Sequence, residues 1–169
     1  MTAVLIHLDA WHTPPEVRFN RDNPAEHFYN HAFRFTQVFE RLIEPLRRHR
    51  SIHLTVELTR LPEDDRYLYT YDFREVEVVV LEGIFLLRRD LRERYDLAFW
   101  VECSFETALA RALVRNQEGR SEREIRGDHH TIYFPAQRIH LARDDPKSRL
   151  DGIVDIERLR PIATRPGSP

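Results

Sequence analysis

The segment AVLIHLDAWHTPP (residues 3–15) decides the fold, because an apolar run closed by one acid and a proline-rich loop is typical of a buried parallel strand. A second segment, VEVVVLEGIFLL (residues 76–87), has the same form and places Glu82 and Gly83 after its strand. In open α/β sheets, ligands bind at the carboxyl ends of the strands. We therefore predict that Asp9 and Glu82 face one shared cleft, where carboxylates commonly meet a phosphate or a metal ion.

Strand patterns recur along the rest of the chain. An alternating hairpin is predicted over residues 51–59 and 66–73, with a polar turn between its strands. Further apolar strands are predicted over residues 95–103 and 151–156.

Helical patterns fill the intervening segments. One helix is predicted after Asn23 and Pro24, with Pro45 ending or kinking it. A basic helical segment is predicted after Glu82, and a helix capped by Ser104 runs to a stop at Gly119. Ser121 and Glu124 predict a capping box for a last helix, which runs toward residue 142 with Pro135 as an interruption.

This alternation predicts an α/β fold with a parallel sheet covered by helices on both faces. We expect a single domain over residues 1–157, with a hairpin insertion at residues 51–74 and a lid region at residues 111–128. Residues 158–169 lack apolar periodicity and are predicted to form a flexible tail.

Composition limits the classes of function. The chain has 169 residues and a net charge of −2, which favours neither nucleic acid nor an anionic membrane surface as a partner. No apolar run is long enough to cross a bilayer. The single cysteine, Cys103, excludes an internal disulfide, suits the cytoplasm, and is interpreted as a small core residue. Of the 26 basic residues all but Lys147 are arginine, whose planar fork suits phosphate.

Six segments follow one another along the chain: LDAWHTPP, NPAEHFYNHAF, YTYDF, VVLEGIFLL, YDLAFWVECSFETALARALVRNQEGR and YFPAQRIH…SRLDGIV. In their order and spacing they resemble the uridine kinase branch of the P-loop kinases, with phosphoribulokinase as a more distant relative. The resemblance extends to about residue 155.

The resemblance implies a kinase that moves the γ-phosphoryl group of ATP to a nucleoside 5′-hydroxyl. Asp9 matches the carboxylate that takes the hydroxyl proton. Glu82 matches the acid near Mg²⁺. The resemblance implies that Asp9 also lies near the metal ion. The lid arginines are matched by Arg111, Arg115 and Arg120, of which Arg115 and Arg120 match best.

The resemblance also implies an acceptor pocket. Tyr71 and Phe73 match an aromatic wall for the base, and Asp22 matches the acid that binds the ribose. Arg120 and Asp128 match further substrate contacts. The implied cofactors are ATP and Mg²⁺, the implied partner is a nucleoside or similar small molecule, and a homo-oligomer is a further expectation.

Each of these residues also has a structural interpretation. Asp9 can cap the loop that follows it, and the three lid arginines can form an ordinary solvated helix face. Tyr71 and Phe73 can simply pack within the hairpin.

The printed sequence contains no G-x-x-x-x-G-K-[ST] phosphate loop. The resemblance places that loop, with a preceding central strand and a following helix, ahead of VLIHLD. Its strand would lie between the strands at residues 76–82 and 97–102. We therefore expect that the sheet closes up, that a partner chain fills the gap, or that the recorded start is incomplete.

Three functions remain open. The first is a uridine kinase-like phosphotransferase, N-terminally truncated and inactive as written. The second is a degenerate relative that binds a nucleoside or a protein without catalysis. The third keeps the fold with another acceptor, such as a pantothenate-like alcohol or a sugar phosphate.

Overall fold

A computed structural model describes residues 1–61, 64–115 and 119–156 of the chain. The predicted tail at residues 158–169 and residues 116–118 of the predicted lid lie outside these ranges. The strands are β1 (Ala3–His7), β2 (Ile52–Arg60), β3 (Asp65–Phe73), β4 (Val78–Glu82), β5 (Phe99–Glu102) and β6 (Gly152–Asp155). The α-helices are α1 (Pro15–Arg18), α2 (Pro24–His31), α3 (Phe35–Val38), α4 (Glu44–His49), α5 (Phe105–Arg115), α6 (Glu122–Asp128) and α7 (Phe134–Asp144).

The strands form three separate pairs. β1 and β4 are parallel, with Ala3 opposite Val78 and His7 opposite Glu82. β5 and β6 are also parallel, whereas β2 and β3 form the antiparallel hairpin. Within the described residues no ladder joins one pair to another. The parallel pairs and their helices confirm the predicted α/β class.

The prediction of a basic helical segment after Glu82 is wrong. Residues 83–91 form turns, and helical structure is limited to the 3₁₀ helix Arg92–Arg94. Phe85 explains the difference, because its φ of 61° is incompatible with a right-handed helix while its ring is buried in the core. Gly83 has a φ of 154°, and a Cβ there would lie 2.5 Å from Leu8 Cβ, so this turn requires glycine.

Neither Pro45 nor Pro135 ends its helix, and in both places the regular α-helical pattern is interrupted just before the proline. Pro45 lies within continuous helical structure from α3 to α4, because a π-helical turn over Phe39–Ile43 precedes it. There the Glu44 N–H donates to the Phe39 carbonyl, five residues earlier instead of four. This shift of the hydrogen-bond pattern comes just before Pro45, which has no N–H to donate. The π-helical turn His129–Tyr133 does the same before Pro135, so α6 continues into α7. The helix predicted after Pro24 instead breaks at residues 32–34, where Phe33 is buried.

The main core is formed by aromatic and aliphatic side chains from the strands, from the loops after β1 and β4, and from the helices. Its most buried members include Ile6, Leu8, Trp11, Phe28, Tyr29, Phe39 and Leu42. A smaller cluster of Leu109, Ile125 and Phe134 packs α5, α6 and α7 together. Within the described ranges no helix is long and apolar enough to cross a membrane.

A buried polar network fastens the helices to the loop after β4. The Tyr29 hydroxyl donates to Asp144 Oδ2 at 2.6 Å, and His140 Nδ1 lies 2.7 Å from the same oxygen. The backbone N–H of Arg89 donates to Asp144 Oδ1. Because the Asp144 carboxylate is almost fully buried, these bonds offset its desolvation.

Candidate functional site

Asp9 and Glu82 lie at the same end of the β1–β4 pair. Glu82 is the last residue of β4 and is opposite His7, the last residue of β1. His7 Nδ1 lies 2.5 Å from Glu82 Oε1. Asp9 follows two residues later in the 3₁₀ helix Leu8–Trp11. The parallel register therefore brings both predicted acids to one sheet edge.

The Asp9 carboxylate is exposed, and none of the described residues donates a hydrogen bond to it. Its backbone is fixed, because His12 Nδ1 donates to the Asp9 carbonyl at 2.6 Å. Burial lowers the pKa of His12, so its imidazole is favoured in the neutral form. An open carboxylate on a fixed backbone can accept a proton from a bound hydroxyl group.

The loop after Asp9 is anchored to the hairpin. The buried Arg18 guanidinium donates to the Thr13 carbonyl at 2.7 Å and to Asp64 at 2.5 Å, beside the start of β3. The Thr59 hydroxyl donates to the His12 carbonyl. These bonds connect the acid at the sheet edge to the hairpin that carries the predicted aromatic wall.

The two predicted aromatic residues occupy different environments. The Tyr71 ring stacks on Trp11 with centroids 6.3 Å apart, and only 7% of its surface is exposed. Burial raises the pKa of its hydroxyl. Phe73 is half-buried, with its ring centroid 5.6 Å from that of Tyr71. Tyr71 is thus a core residue, and contact of either ring with a base stays a prediction.

A cleft of about 350 Å³ lies between the segment that leads into α2 and the π-helical turn that precedes α7. It is lined by Phe19, Asn20, Arg21, Pro24, Thr131 and Ile132. Asp22 is exposed between two of these lining residues, just before the Asn23 cap of α2. Asp128 ends α6, one helical turn before Thr131. Asp22 and Asp128 thus neighbour lining residues along the chain but do not themselves line the cleft, and their contact with a sugar stays a prediction.

Arg120 and Asp128, both predicted site residues, form an ion pair. Arg120 Nη1 donates to Asp128 Oδ2 at 2.5 Å, and both side chains are partly buried. Gly119 precedes them with a φ of 57°, and the predicted Ser121–Glu124 capping box is present. This start of α6 places the Arg120 guanidinium against the Asp128 carboxylate.

The other predicted lid arginines lie apart from these contacts. Arg111 and Arg115 are exposed on α5, and Arg115 is the last residue described before the gap at residues 116–118. Their approach to a phosphoryl group stays a prediction. Lys147, the sole lysine, pairs with Glu102 and lies over the Trp100 ring. Its contacts are therefore with side chains of β5.

The carboxylates of Asp9 and Glu82 are suitable ligands for Mg²⁺, whereas the printed sequence lacks a loop for the phosphates of ATP. Mg²⁺ commonly takes one or two protein carboxylates and completes its shell with phosphate and water, a role open to Asp9 and Glu82. A self-contained metal site is absent from residues 1–61, 64–115 and 119–156, where no three His, Cys, Asp or Glu side chains are suitably grouped. No glycine-rich loop in the printed sequence can cradle the phosphates of ATP.

Three residues at the sheet edge were not predicted from the sequence. His7 bonds Glu82, His12 fixes the Asp9 backbone, and Trp11 stacks on Tyr71. The signal for His7 was present, because strands that end in aligned acids place their final residues side by side. No local pattern indicated Trp11 or His12, since their partners depend on tertiary packing.

Comparison with known proteins identifies the class of fold. No protein-family profile matches the chain, and no curated protein sequence matches it. A solved structure of a "possible uridine kinase" from Bacillus stearothermophilus is similar, with a TM-score of 0.68, 17% identity, and coverage of 91% of this chain and 72% of that chain. A "putative fructose transport system kinase" from Silicibacter sp. TM1040 is also similar, with a TM-score of 0.56, 21% identity, and coverage of 89% and 74%. The fold is therefore kinase-like, of the P-loop type.

Proposed function

We propose that residues 1–156 form the acceptor side of a phosphotransferase that moves the ATP γ-phosphoryl group to the 5′-hydroxyl of a nucleoside such as uridine. The observation that carries the proposal is the open Asp9 carboxylate at the end of β1, beside Glu82 at the end of β4. This edge of parallel strands is where ligands bind in α/β sheets.

In the proposed reaction, the acceptor hydroxyl approaches the phosphoryl group while Asp9 accepts its proton. Mg²⁺ would lie near Glu82 and neutralise phosphate charge. Asp22 and Asp128 would hold the sugar, and Arg120 would meet developing charge on the phosphoryl oxygens. Arg111 and Arg115 would join Arg120 when the lid closes.

The donor side is the part that the printed chain does not supply. A phosphate loop provides backbone N–H groups and a lysine for the β- and γ-phosphates, and these 169 residues contain no such segment. We therefore expect residues 1–169 alone to bind an acceptor without phosphorylating it. This expectation fits a kinase recorded without its phosphate loop, and equally a relative that has kept only nucleoside binding.

A sugar or sugar phosphate is the second candidate acceptor. Tyr71 favours it, because a ring packed on Trp11 with 7% exposure offers little surface for stacking a base. The similarity to a structure named as a fructose transport system kinase points the same way. The carboxylates of Asp22 and Asp128 could accept hydrogen bonds from the hydroxyl groups of either acceptor.

Calorimetric titration of the purified chain with uridine and with fructose tests the proposal. We expect saturable uridine binding that Asp22→Asn and Asp128→Asn each weaken about tenfold, since each loses a charge-assisted hydrogen bond. Asp90→Asn, a similar change on an exposed acid, should leave affinity within about twofold. Binding of fructose alone would establish the second candidate, and binding of neither would contradict both.

A phosphate-transfer assay tests the donor side separately. The chain is incubated with γ-labelled ATP, Mg²⁺ and uridine, and labelled uridine monophosphate is measured. We expect no product from residues 1–169. Phosphorylated uridine that disappears in Asp9→Asn would show that the chain holds ATP by residues other than a phosphate loop.

A further inference from the structure

Two histidines lie one helical turn apart on α2. They are His27 and His31, the ends of the segment HFYNH, and residues four apart in an α-helix lie on one face. Phe28 and Tyr29, between them, are buried in the main core. His27 is half-buried and His31 is exposed. The helix therefore presents two imidazole rings side by side at the surface.

The two rings are as close together as imidazoles that share a metal ion. Their centroids are 4.4 Å apart, and their planes are inclined by 42°. With a metal–nitrogen distance of about 2.0–2.1 Å, two imidazoles at a right angle around one ion have centroids about 4.5 Å apart. A tetrahedral angle separates the centroids by about 5.2 Å at the same metal–nitrogen distance. The observed separation therefore matches two neighbouring positions of a square-planar shell.

A backbone contact fixes the tautomer of His27. Its Nε2 lies 2.7 Å from the Val17 carbonyl oxygen, which can only accept a hydrogen bond. Nε2 therefore carries the hydrogen atom in the neutral imidazole, and Nδ1 keeps its lone pair. Metal-binding histidines commonly donate their second ring N–H to a backbone carbonyl, which fixes the tautomer and the orientation of the ring. His27 already has this arrangement.

The imidazole of His31 is open to a ligand. None of the described residues forms a hydrogen bond with its ring, whereas its backbone carbonyl accepts one from the Thr13 hydroxyl at 2.6 Å. The Thr13 N–H donates to the next carbonyl, that of Ala32. These bonds anchor the end of α2, so little ordering of the backbone remains to be done when a ligand binds.

The nearest acid along α2 is already paired. Glu26, next to His27, lies 2.9 Å from the Arg143 guanidinium and accepts a hydrogen bond from Asn30. In the part of the chain that the structure describes, no three His, Cys, Asp or Glu side chains are grouped as metal ligands. The pair therefore offers two nitrogen ligands, and water would complete the shell of an ion.

We propose that His27 and His31 bind a divalent transition metal ion, Cu²⁺ or Ni²⁺, through one imidazole nitrogen each. Imidazole suits both metals, and their square-planar or tetragonal shells match the ligand angle that the ring separation indicates. Mg²⁺ does not compete for this site, because it takes oxygen ligands. Neither Asp9 nor Glu82 takes part, so the site is independent of the proposed phosphotransfer.

A simple aromatic contact is the alternative explanation of the pair. Neighbouring rings attract each other without any ligand, and the chain contains other histidine–aromatic pairs, such as His12 with Phe33. The substitution His31→Phe separates the two explanations. Phenylalanine keeps a ring at this position and removes both ring nitrogens, so an aromatic contact survives and a metal site does not.

Calorimetric titration with NiCl₂ tests the proposal on the purified chain, free of any histidine tag and without acceptor, ATP or Mg²⁺. We expect the tightest site to bind one ion per chain. His31→Phe should weaken it at least tenfold, since even the loss of a residue behind a metal ligand commonly costs tenfold or more. His53→Phe, the same change on the exposed face of the hairpin, should leave the affinity within about twofold.

A second variant tests the other ligand. His27→Gln keeps an N–H donor for the Val17 carbonyl and loses the Nδ1 lone pair. It should weaken Ni²⁺ binding at least tenfold while circular dichroism remains that of the parent chain. Excess Mg²⁺ should leave the Ni²⁺ titration unchanged.

Paramagnetic line broadening measured by NMR locates the ion. Cu²⁺ added below one equivalent should broaden the amide signals of residues 26–32 and of Val17 before those of other segments. The proposal is overturned if no ion binds, or if His31→Phe binds Ni²⁺ as tightly as the parent chain. Broadening centred on His7 and Glu82, or on the neighbouring His129 and His130, also overturns it in favour of a different site.

Discussion

The imidazole of His7 and the carboxylate of Glu82 lie 2.5 Å apart at the ends of neighbouring parallel strands. Both side chains are at least half exposed, so water competes with the contact. The contact with His7 therefore orients the Glu82 carboxylate at the sheet edge but is weak enough to be replaced. An acid held in this way can exchange its histidine contact for a ligand.

We predict a small coupling energy between His7 and Glu82. Exposed ion pairs contribute about 0–1 kcal/mol, because solvent screens them and side-chain entropy opposes them. A double-mutant cycle with His7→Gln and Glu82→Gln, measured by urea unfolding, should give a coupling below about 1 kcal/mol. A coupling above about 2 kcal/mol would mean that Glu82 is locked to His7 and is poorly suited to bind a metal ion.

The Tyr29 hydroxyl should matter far more for stability. Tyr29→Phe removes one hydrogen bond from the buried Asp144 carboxylate, and an incompletely satisfied buried group costs about 1–3 kcal/mol. The free energy of unfolding should fall by that amount in urea. Tyr69→Phe makes the same chemical change on an exposed ring and should cost less than about 0.5 kcal/mol. Equal losses in both variants would exclude a stabilising role for the network.

His140 should make the folded chain less stable in mild acid. Burial lowers the pKa of His140 in the folded state, although the neighbouring Asp144 carboxylate acts in the opposite direction. The unfolded chain, with an ordinary histidine pKa of about 6.5, therefore binds this proton first as the pH falls. The free energy of unfolding should decrease as the pH is lowered through about 6.5.

Variants separate His140 from the other histidines. His140→Gln should flatten the decrease in unfolding free energy between about pH 8 and about pH 5.5. Some slope should persist, because burial lowers the pKa of His12 as well. His53→Gln, the same change on the exposed face of the hairpin, serves as the control. A chain that becomes more stable on acidification would contradict this sign.

The sequence predicted those features that depend on local pattern. Apolar runs closed by acids gave the β1–β4 edge with Asp9 and Glu82, and Ser121 with Glu124 gave the start of α6. The helix does not end at Pro45 or at Pro135, because a π-helical turn before each proline accommodates the missing N–H and interrupts the regular α-helical pattern there.

Features that depend on tertiary packing could not be predicted. Phe85 has a positive φ and a ring buried in the core. The sequence pattern of residues 84–91 gives no sign of either feature. The environment of Tyr71 is a second case. Alternation places it on one face of β3, but only the fold shows that Trp11 covers that face.

The Trp11–Tyr71 stack gives the last prediction, which separates packing from acceptor binding at this position. Tyr71→Ala removes a buried ring and should lower the free energy of unfolding by about 3 kcal/mol or more. Tyr71→Phe keeps the stack on Trp11 and should cost less than about 1.5 kcal/mol.

Phe73→Leu serves as the matched change on the half-buried neighbour. If Phe73 is the ring that meets a base, this variant should weaken uridine binding at least fivefold in calorimetry, whereas Tyr71→Phe should leave it within about twofold. The reason is that Phe73→Leu removes an aromatic face, whereas Tyr71→Phe keeps the ring stacked on Trp11 and removes only the hydroxyl group. Weaker uridine binding in Tyr71→Phe with unchanged stability would instead place the Tyr71 hydroxyl at the acceptor.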